Sequence, residues 1–347
     1  MTRGSESAAP VELAIDGTDQ HFLQRDDDTV LRAALRAGVG IPYECNSGGC
    51  GSCRIQVVSG EVSDLWPDAP GRTERDRRSG RLLACQTRAT TDAVLRVRTS
   101  ADYVGLHPPV RQAARLVAVD RLTHDMSRFV LRTTSAAQFA PGQFVSLVVP
   151  GLDAPRNYSM ANVAQGDGTW ELVVRRVPGG AATAVLFDEL QVGDDVEIDG
   201  PYGLATLRTD ADRDIACVAG GSGLAPMLSI ARGAAAAGLL ERHRLHFFYG
   251  ARTPADVCGR AELERLDGFG TRLSFHPVVS TPAEQHGQEW DGATGFVHEV
   301  ACTTLADRLG DVEWYCAGPP PMTQALQQAL VLDHAVPVDQ IHFDRFF

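Results

Sequence analysis

The spacing of apolar residues divides the chain into regions with different periodicities. Residues 1–10 lack an apolar pattern and are predicted to form a flexible tail. In region 11–100, the strand-like VELAIDG is followed by DDDTVLRAALRAG, where apolar residues recur at helical spacing. Asp28 or Thr29 is placed to cap the start of this helix, and Gly38 is placed to end it. Further strands are predicted at RIQVVSGEV and AVLRVRT, so this region combines a small sheet with one helix.

Region 111–208 has the pattern of an antiparallel β domain. About six short apolar runs are separated by Gly, Pro and Asp turns, among them ARLVAVDRLT, RFVLRTT, GQFVSLVVP, TWELVVRRV and DDVEIDGPYG. Strands at this spacing predict a small closed barrel. The preceding segment, residues 101–110, contains Pro108 and Pro109 and is predicted to be a linker.

Region 209–347 alternates strand and helix patterns. DIACVAGG, RLHFFYG and VEWYCAGPP have the continuous apolar character of buried strands, whereas PMLSIARGAAAAGL and PMTQALQQALVL have helical character. This alternation predicts an α/β domain with a parallel, doubly wound sheet. The expected fold class is therefore a multi-domain protein that ends in an α/β domain.

Composition narrows the classes of protein to consider. A net charge of −12 disfavours nucleic acid as a partner. Because the chain contains no run of about 18 apolar residues, we expect no membrane span and no membrane partner. The N-terminal segment MTRGSESAAP lacks the apolar stretch of a secretory signal, so a cytoplasmic location is expected.

Four cysteines carry the strongest chemical signal. Cys45, Cys50 and Cys53 crowd into nine residues of Gly- and Ser-rich sequence, PYECNSGGCGSC, and Cys85 follows 32 residues after Cys53. This spacing is typical of plant-type ligation of a [2Fe–2S] cluster, whereas a zinc site would normally use a second close pair. With one helix and a small sheet around it, region 11–100 is predicted to be a β-grasp ferredoxin domain. The remaining cysteines are dispersed, as free thiols in a reducing compartment would be: Cys217, Cys258, Cys302 and Cys316.

Three motifs at predicted strand ends in region 209–347 suggest a nucleotide site. They are AGGSGLAPM (Ala219–Met227), YGAR (Tyr249–Arg252) and AGPPPM (Ala317–Met322). The glycines of the first would let a pyrophosphate approach the backbone, although its spacing is not GxGxxG. Ligands of open α/β sheets bind at the carboxyl ends of strands, so the three motifs together predict a nicotinamide nucleotide site. The alternative for Arg252 is a solvated surface arginine.

The barrel region offers a second ligand signature. Arg156–Ser159, with the sequence RNYS, places a phosphate-pairing guanidinium, an aromatic ring and a hydroxyl on one short strand. Downstream come Arg175, the Gly179-Gly180 turn and Thr183, which is predicted to open a helix whose N–H groups could take a pyrophosphate. Beside a nucleotide domain, these features predict a flavin.

The order of the three regions and these motifs resembles the ferredoxin–NADP reductase superfamily, in particular its oxygenase reductase components. RNYS is similar to that family's flavin motif, and GGSGLAP and AGPPPM are similar to its nucleotide motifs. PYECNSGGCGSC, VSDLWPDAPG, DGPYGL, GGSGLAPM and the terminal IHFDRFF resemble the reductases of bacterial toluene-type diiron monooxygenases. One departure concerns Cys316, because relatives often carry Cys immediately before Gly-Pro-Pro, where this chain has Ala317. A shift of one residue on a strand places a side chain on the opposite face, so Cys316 is left out of the predicted site.

The resemblance implies an electron-transferring enzyme with a [2Fe–2S] cluster, FAD and NADH as cofactors. The cluster ligands would be Cys45, Cys50, Cys53 and Cys85. The residues implicated in FAD binding are Arg156, Asn157, Tyr158, Ser159, Val174, Arg175, Gly179, Gly180, Ala181, Ala182 and Thr183, and those implicated in NADH binding are Gly220, Gly221, Ser222, Gly223, Pro226, Arg252, Gly318, Pro319 and Met322. Ser159 and Phe347 are the candidate catalytic residues, because the hydroxyl can bond the flavin edge and the terminal aromatic pair, Phe346-Phe347, can cover the flavin ring. That pair could equally anchor the C-terminus in the core.

The expected electron route runs from NADH through FAD and the cluster to a Rieske-type ferredoxin or to the hydroxylase of an aromatic or alkene monooxygenase. NADH is favoured over NADPH because Asp256 follows YGAR and no base other than Arg252 is present there for a 2′-phosphate. The alternatives are a reductase of a ring-hydroxylating dioxygenase, a deoxysugar-dehydratase reductase and a non-catalytic iron–sulfur binding module. The chain is expected to act as a monomer, and the rim of the cluster loop is where the partner is expected to bind.

Overall fold

The computed structural model describes residues 9–25, 27–281 and 290–345. These residues form two compact units, one comprising the chain up to Val110 together with Gly200–Leu204, and the other comprising Arg111–Asp199 and the chain from Ala205 onward. Among the described residues, no helix combines the length and the apolar character needed to cross a membrane.

The first unit contains a five-stranded mixed sheet with one helix packed on it. The strand order is β2-β1-β7-β3-β5, and a separate two-stranded sheet pairs β4 with β6. Thr29 caps the helix by accepting a hydrogen bond from the Arg32 backbone N–H, and Gly38 adopts a φ of +74° just after the helix end, as its sequence predicted. The elements are β1 (Val11–Ile15), β2 (His21–Gln24), α1 (Val30–Arg36), β3 (Arg54–Ser59), β4 (Val62–Asp64), α2 (Glu74–Arg78), β5 (Leu82–Leu83), β6 (Thr87–Ala89) and β7 (Ala93–Arg96).

One strand prediction in this unit was wrong. RIQVVSGEV was expected to be a single strand, but the chain leaves β3 at Ser59 and begins β4 at Val62. Gly60 lies between them with a φ of +89°, and a Cβ at this position would lie 2.3 Å from the Asp92 carbonyl oxygen. The turn therefore requires glycine, and it redirects the chain from one sheet to the other.

The second unit begins with a six-stranded antiparallel sheet in the order β11-β10-β13-β8-β9-β12. An additional bridge between Met160, which follows β11, and Leu172 on β12 joins the two edge strands and brings the sheet close to a closed barrel. Its core contains Leu116, Phe129, Val145, Trp170 and Ile198. The elements are β8 (Val110–Arg121), β9 (Met126–Thr133), β10 (Phe144–Val148), β11 (Arg156–Ser159), β12 (Thr169–Arg175), α3 (Ala181–Ala184) and β13 (Asp195–Tyr202).

The remainder of the second unit is a six-stranded sheet in the order β17-β16-β15-β14-β18-β19, and all its neighbouring strands are parallel. Buried residues cover both faces, as the continuous apolar strand patterns predicted. The elements are β14 (Asp214–Gly220), α4 (Leu224–Ala236), β15 (Leu245–Ala251), α5 (Arg260–Leu263), β16 (Leu273–Val279), β17 (Ala293–Thr294), α6 (Val297–Thr304), β18 (Val312–Gly318), α7 (Pro320–Gln328) and β19 (Ile341–Arg345). The predicted fold class is confirmed.

The two sheets of the second unit are joined by a half-buried ion-pair network. Arg232 on α4 pairs with Glu171 on β12 at 2.9 Å and with Glu262 on α5 at 2.6 Å, and Arg128 on β9 pairs with Glu262 at 3.0 Å. Because each arginine bonds carboxylates from more than one element, the network fixes the strands of the barrel against the helices of the parallel sheet.

Candidate functional site

The four predicted cluster ligands converge in the first unit. The sulfur atoms of Cys53 and Cys85 lie 3.3 Å apart although 32 residues separate them in the chain. The Cys45 sulfur accepts backbone N–H groups from Cys50 at 3.3 Å and from Ser47 at 3.4 Å, and the Cys50 sulfur accepts the Ser52 N–H at 3.4 Å. Backbone donors directed at sulfur are the arrangement that stabilises thiolate ligands.

The cluster loop is held in shape by its glycines and by one arginine. Gly51 has a φ of +75°, and a Cβ there would lie 2.3 Å from the Gly71 carbonyl oxygen, so no larger residue fits. Arg54 donates to the carbonyl oxygens of Gly51 and Gly71 and pairs with the buried carboxylate of Asp76 at 2.8 Å. The loop is thus clamped to the segment that leads into α2.

Asn46 supplies a test of whether an iron–sulfur group fits this loop. Its side chain is 3% exposed and its φ is +48°, and among the described residues neither amide atom has a hydrogen-bond partner. A buried amide without a partner is costly unless a further group meets it. Together with four convergent thiols and inward N–H groups, it fits a [2Fe–2S] cluster, whose sulfur atoms accept hydrogen bonds.

The RNYS motif forms β11, at the edge of the barrel. Tyr158 packs against the barrel core, and burial raises the pKa of its hydroxyl to about 12 although the Arg156 charge acts against this. Arg156 is exposed and donates to the backbone carbonyls of Ala154 and Pro155, and the carbonyl oxygen of the Asn157 side chain accepts the Ser146 hydroxyl at 2.7 Å. The strand therefore presents an exposed guanidinium beside a largely buried aromatic side chain, which suits a flavin phosphate and ring.

Ser159 has a partner that the motif did not predict. Its hydroxyl donates to the Asp344 carboxylate at 2.7 Å, which links the barrel to β19 of the parallel sheet. Asp344 is opposite Ala317 in the register of β18 and β19, so this contact lies beside the AGPPPM motif. The other candidate catalytic residue, Phe347, and its neighbour Phe346 lie outside the described residues.

The turn after β12 differs slightly from its prediction. The helix begins at Ala181, not at Thr183, because Gly180 is its N-cap and the hydroxyl of Thr183 is occupied within the turn, donating to the carbonyl oxygens of Val177 and Gly180. The helix has four residues and continues into a π-type turn, Val185–Glu189. Val174 and Ala182 belong to the barrel core, and Gly179 has a φ of +72°.

The three nucleotide motifs meet at the carboxyl edge of the parallel sheet, as predicted from their positions. A Cβ at Gly223 would lie 2.0 Å from the Ala317 carbonyl oxygen, and a Cβ at Gly220 would lie 2.6 Å from the Met322 sulfur. Ser222 lies in the short turn between these glycines, Pro226 in the first turn of α4, Gly318 at the end of β18, and Pro319 at the N-cap of α7. The GGSG loop therefore packs closely against the GPPPM segment. The face of the loop that points away from this segment is left for a ligand.

A small cavity opens beside this loop, lined by residues of both sheets of the second unit. Arg175 from the barrel donates to Asp125 at 2.7 Å and reaches towards Gly221, and Arg252 and Asp256 also line the cavity. Burial acts to raise the pKa of Asp125, but the hydrogen bond and charge of Arg175 outweigh it and lower the pKa overall. Asp125 thus remains an anion that orients Arg175.

Sequence reasoning missed several residues of these sites. Asp344 lies in the terminal segment IHFDRFF, whose resemblance to the family assigned Asp344 no role, and Asp125 lies in a short turn ahead of β9. Asn46 could have been noticed, because Asn is among the few residues that tolerate a positive φ inside a glycine-rich loop. The exclusion of Cys316 is supported, since Cys316 and Ala317 belong to the cores on opposite faces of the sheet.

The two units thus combine a four-cysteine cluster loop, a flavin-type barrel and a dinucleotide-type parallel sheet, which define the class of iron–sulfur flavoprotein reductases. Three family models match in this order: a 2Fe-2S iron-sulfur cluster binding domain over residues 13–90, an oxidoreductase FAD-binding domain over 113–206 and an oxidoreductase NAD-binding domain over 217–328.

Similar proteins cover almost the whole chain. The ferredoxin–NAD(+) reductase component of the alkene monooxygenase system of Xanthobacter autotrophicus is 43% identical over 94% of this chain and 97% of its own length. The reductase component of phenol 2-monooxygenase from a Pseudomonas species is 35% identical over 96% of this chain and 94% of its own. Among solved structures, the ferredoxin reductase in carbazole 1,9a-dioxygenase has a TM-score of 0.88 at 37% identity, over 97% of this chain and 98% of that one.

The chain belongs to the family of ferredoxin–NAD(P)+ reductase components of multicomponent oxygenases. It is an oxidoreductase that moves electrons from a nicotinamide nucleotide through FAD to a [2Fe–2S] cluster, as its sequence predicted.

Proposed function

We propose that this chain is the NADH-oxidising reductase component of a monooxygenase system that acts on alkenes or aromatic compounds. It would deliver electrons to a Rieske-type ferredoxin or directly to a diiron hydroxylase. The observation that carries the proposal is the end-to-end similarity to the alkene monooxygenase reductase component, at 43% identity. The phenol 2-monooxygenase reductase component supports the same class of partner.

Each part of the chain would have a separate task. The domains would extend over residues 11–100, 111–208 and 209–347, after a tail of residues 1–10 and with a linker at 101–110. Bound FAD supplies the conversion between a two-electron hydride and single electrons, which the iron–sulfur cluster carries. For each NADH oxidised to NAD+ and a proton, two one-electron acceptors would be reduced.

The side chains would bind the cofactors and orient them for electron transfer. Arg156 would pair with flavin phosphate, Tyr158 would cover the ring, and Ser159, held by Asp344, would bond the ring edge. The cysteine thiolates would hold the cluster, and the GGSG loop would receive the dinucleotide pyrophosphate through backbone N–H groups. Positioning of the reacting carbons is the main requirement of hydride transfer, so a site without an acid–base dyad is sufficient.

The preference for NADH rests on Asp256. This carboxylate lines the cavity with Arg252. Its Oδ2 accepts the N–H and the hydroxyl of Thr253, whereas its Oδ1 makes no hydrogen bond within the described residues and lies 3.4 Å from Nδ1 of His124. It could accept a ribose hydroxyl, whereas a 2′-phosphate would meet its negative charge. We also propose that the chain acts as a monomer in the cytoplasm and uses neither nucleic acid nor membrane as a partner.

A second candidate function is supply of a ring-hydroxylating dioxygenase. The ferredoxin–NAD(P)+ reductase CarAd of Metapseudomonas resinovorans is 40% identical over 92% of this chain, and the carbazole 1,9a-dioxygenase reductase has the same fold throughout. Purified hydroxylase and dioxygenase components, each tested for NADH-dependent product formation with this reductase, separate the two functions.

The test of the electron route uses anaerobic spectroscopy of the holoprotein. NADH should bleach the flavin and the cluster bands, and two equivalents of a one-electron acceptor should be reduced per NADH. In Cys53→Ser, flavin reduction by NADH should persist while transfer to cytochrome c falls. Cys302→Ser, which changes a half-buried cysteine on α6, is the matched control and should behave as the unmodified protein. Equal loss of both activities in Cys53→Ser would contradict the route.

A further inference from the structure

The segment that follows the cluster loop is rich in arginine, in a chain whose net charge is −12. Residues 72–81 have the sequence RTERDRRSGR and include the short helix α2. The segment packs on the cluster loop itself, since the Gly71 N–H donates to the Gly48 carbonyl at 2.9 Å and Arg54 pairs with Asp76. A positive surface feature therefore lies next to the cysteine ligands.

Ion pairing leaves a net positive charge on this surface. The acidic side chains pair within the segment or with the loop: Asp64 with Arg72, Glu74 and Asp68 both with Arg77, and Asp76 with Arg54. Because Arg77 serves two carboxylates, one negative charge is left uncompensated among these groups. In contrast, Arg75, Arg78 and Arg81 are exposed and have no acidic partner among the described residues.

Two exposed apolar side chains complete the surface. Leu65 and Trp66 are adjacent in the chain and are 45% and 44% exposed, so both offer apolar surface to solvent. Trp66 also contacts the cluster loop, because a Cβ at Gly48 would lie 3.1 Å from its ring and 3.2 Å from Gln86, the neighbour of Cys85. An exposed Trp against the cluster loop, and exposed Arg side chains in the segment that follows the loop, give the composition of a protein interface, where Trp and Arg are enriched.

We propose that Leu65, Trp66, Arg75, Arg78 and Arg81 form a cationic docking surface for an acidic electron-accepting protein. The proposal rests on the proposed function, because it identifies the chemistry of the partner that receives electrons at the cluster. The arginines steer an acidic partner towards the loop by long-range attraction, and Trp66 provides the apolar contact that holds it there. Each encounter passes one electron from the chain to the acceptor, so two encounters follow each NADH. Because the chain as a whole is acidic, it would repel an acidic partner. The local positive charge allows such a partner to approach at the cluster loop.

The test compares two small haem proteins of opposite charge as probes: the soluble domain of cytochrome b5, which is acidic, and cytochrome c, which is basic. The variant carries Arg75→Glu, Arg78→Glu and Arg81→Glu together. At low ionic strength we expect its kcat/KM for cytochrome b5 to fall at least about tenfold, with kcat/KM for cytochrome c unchanged or raised. The difference should shrink as salt is added, because screening at about 0.15 M ionic strength limits such attraction to roughly 8 Å.

Controls separate docking from damage to the electron route. Arg242→Glu makes the same change of charge at an exposed site ahead of β15 and should leave both probes unaffected. Trp66→Ala should reduce kcat/KM for cytochrome b5, and the size of this reduction should not change when salt is added. If the triple glutamate variant loses its cluster spectrum, the triple Arg→Gln variant should show the same order of effects at smaller size.

The outcome that overturns the proposal is an unchanged kcat/KM for cytochrome b5, or an equal loss for both probes, in a variant that NADH still bleaches normally. Failure of NADH to bleach the unmodified holoprotein would instead overturn the proposed function, so the two failures are distinguishable.

Discussion

The buried carboxylate of Asp76 is predicted to be a main source of stability for the cluster loop. Its side chain is 4% exposed and accepts hydrogen bonds from Arg54 at 2.8 Å and from the backbone N–H of Thr73 at 3.0 Å. Burial acts to raise the pKa of Asp76, but the bonds from Thr73 and Arg54 outweigh it and lower the pKa from 3.8 to about 2. By linkage, a shift of this size corresponds to about 2 kcal/mol of stability at neutral pH.

The perturbation is Asp76→Asn, which preserves shape and one acceptor oxygen but removes the charge. For a unit of about 100 residues, a loss of about 2 kcal/mol should lower the apparent Tm by about 10 °C, read from visible circular dichroism of the cluster as the holoprotein is heated. The matched control is Glu74→Gln on the same short helix. Because the side chain of Glu74 is 77% exposed where it pairs with Arg77, its loss should cost less than about 0.5 kcal/mol.

The pH dependence of this effect has a defined sign. The folded-state pKa lies below the unfolded value of 3.8, so the stabilisation is fully present above about pH 5 and is lost as the pH falls towards 2. The difference in Tm between Asp76→Asn and the unmodified protein should therefore be the same at pH 8, 6.5 and 5.5. A difference that disappears across that range, or an equal fall in Glu74→Gln, would refute the reasoning.

Three further predictions concern the remaining centres. Gly223→Ala should weaken nucleotide binding and cost about 1–3 kcal/mol of stability, because its Cβ would lie 2.0 Å from the Ala317 carbonyl oxygen; unchanged affinity in calorimetry would contradict it. Asn46→Ala should lower the cluster reduction potential by roughly 40 mV, the equivalent of one hydrogen bond of about 1 kcal/mol, in a redox titration followed by electron paramagnetic resonance. Ser159→Ala should slow flavin reduction by NADH about tenfold in stopped-flow measurements, because the hydroxyl held by Asp344 is lost, whereas an effect on NADH affinity alone would argue for a merely structural role.

Local signals predicted the elements whose starts and ends are marked by capping or terminating residues nearby in the sequence. Helix α1 was predicted with its cap and its terminating glycine because Thr29 and Gly38 act within one turn of the helix they bound. The strands of the parallel sheet were predicted where their apolar runs are continuous, as in β14 and β18. In contrast, β16 and β19 were not predicted, because their sequences LSFHPVV and IHFDR mix polar residues with apolar ones and are strands only through their neighbours.

The candidate site residues also divide into those that local sequence predicted and those that it did not. Motif residues were predictable because the residue type itself is informative. A glycine in a motif indicates a special backbone conformation or a close approach, and a clustered cysteine indicates a metal ligand. The residues that orient them were not, since Asp344 reaches Ser159 across 185 positions of sequence, and Arg54 meets Asp76 across 22. Such pairs depend on tertiary packing, which no spacing rule within a single chain encodes.

The close approach of the GGSG loop to the AGPPPM segment limits how this enzyme can change. Because backbone atoms of Ala317 occupy the space where a side chain at Gly223 would go, added bulk at Gly223 is not a route by which evolution or an engineer can alter coenzyme choice. Arg252, which is exposed just beyond the end of β15, can vary without such a clash, whereas the Asp256 carboxylate accepts the N–H and the hydroxyl of Thr253 and holds its turn. On the proposed function, an exchange of coenzyme preference would therefore begin at Arg252 and would leave the sheet unchanged.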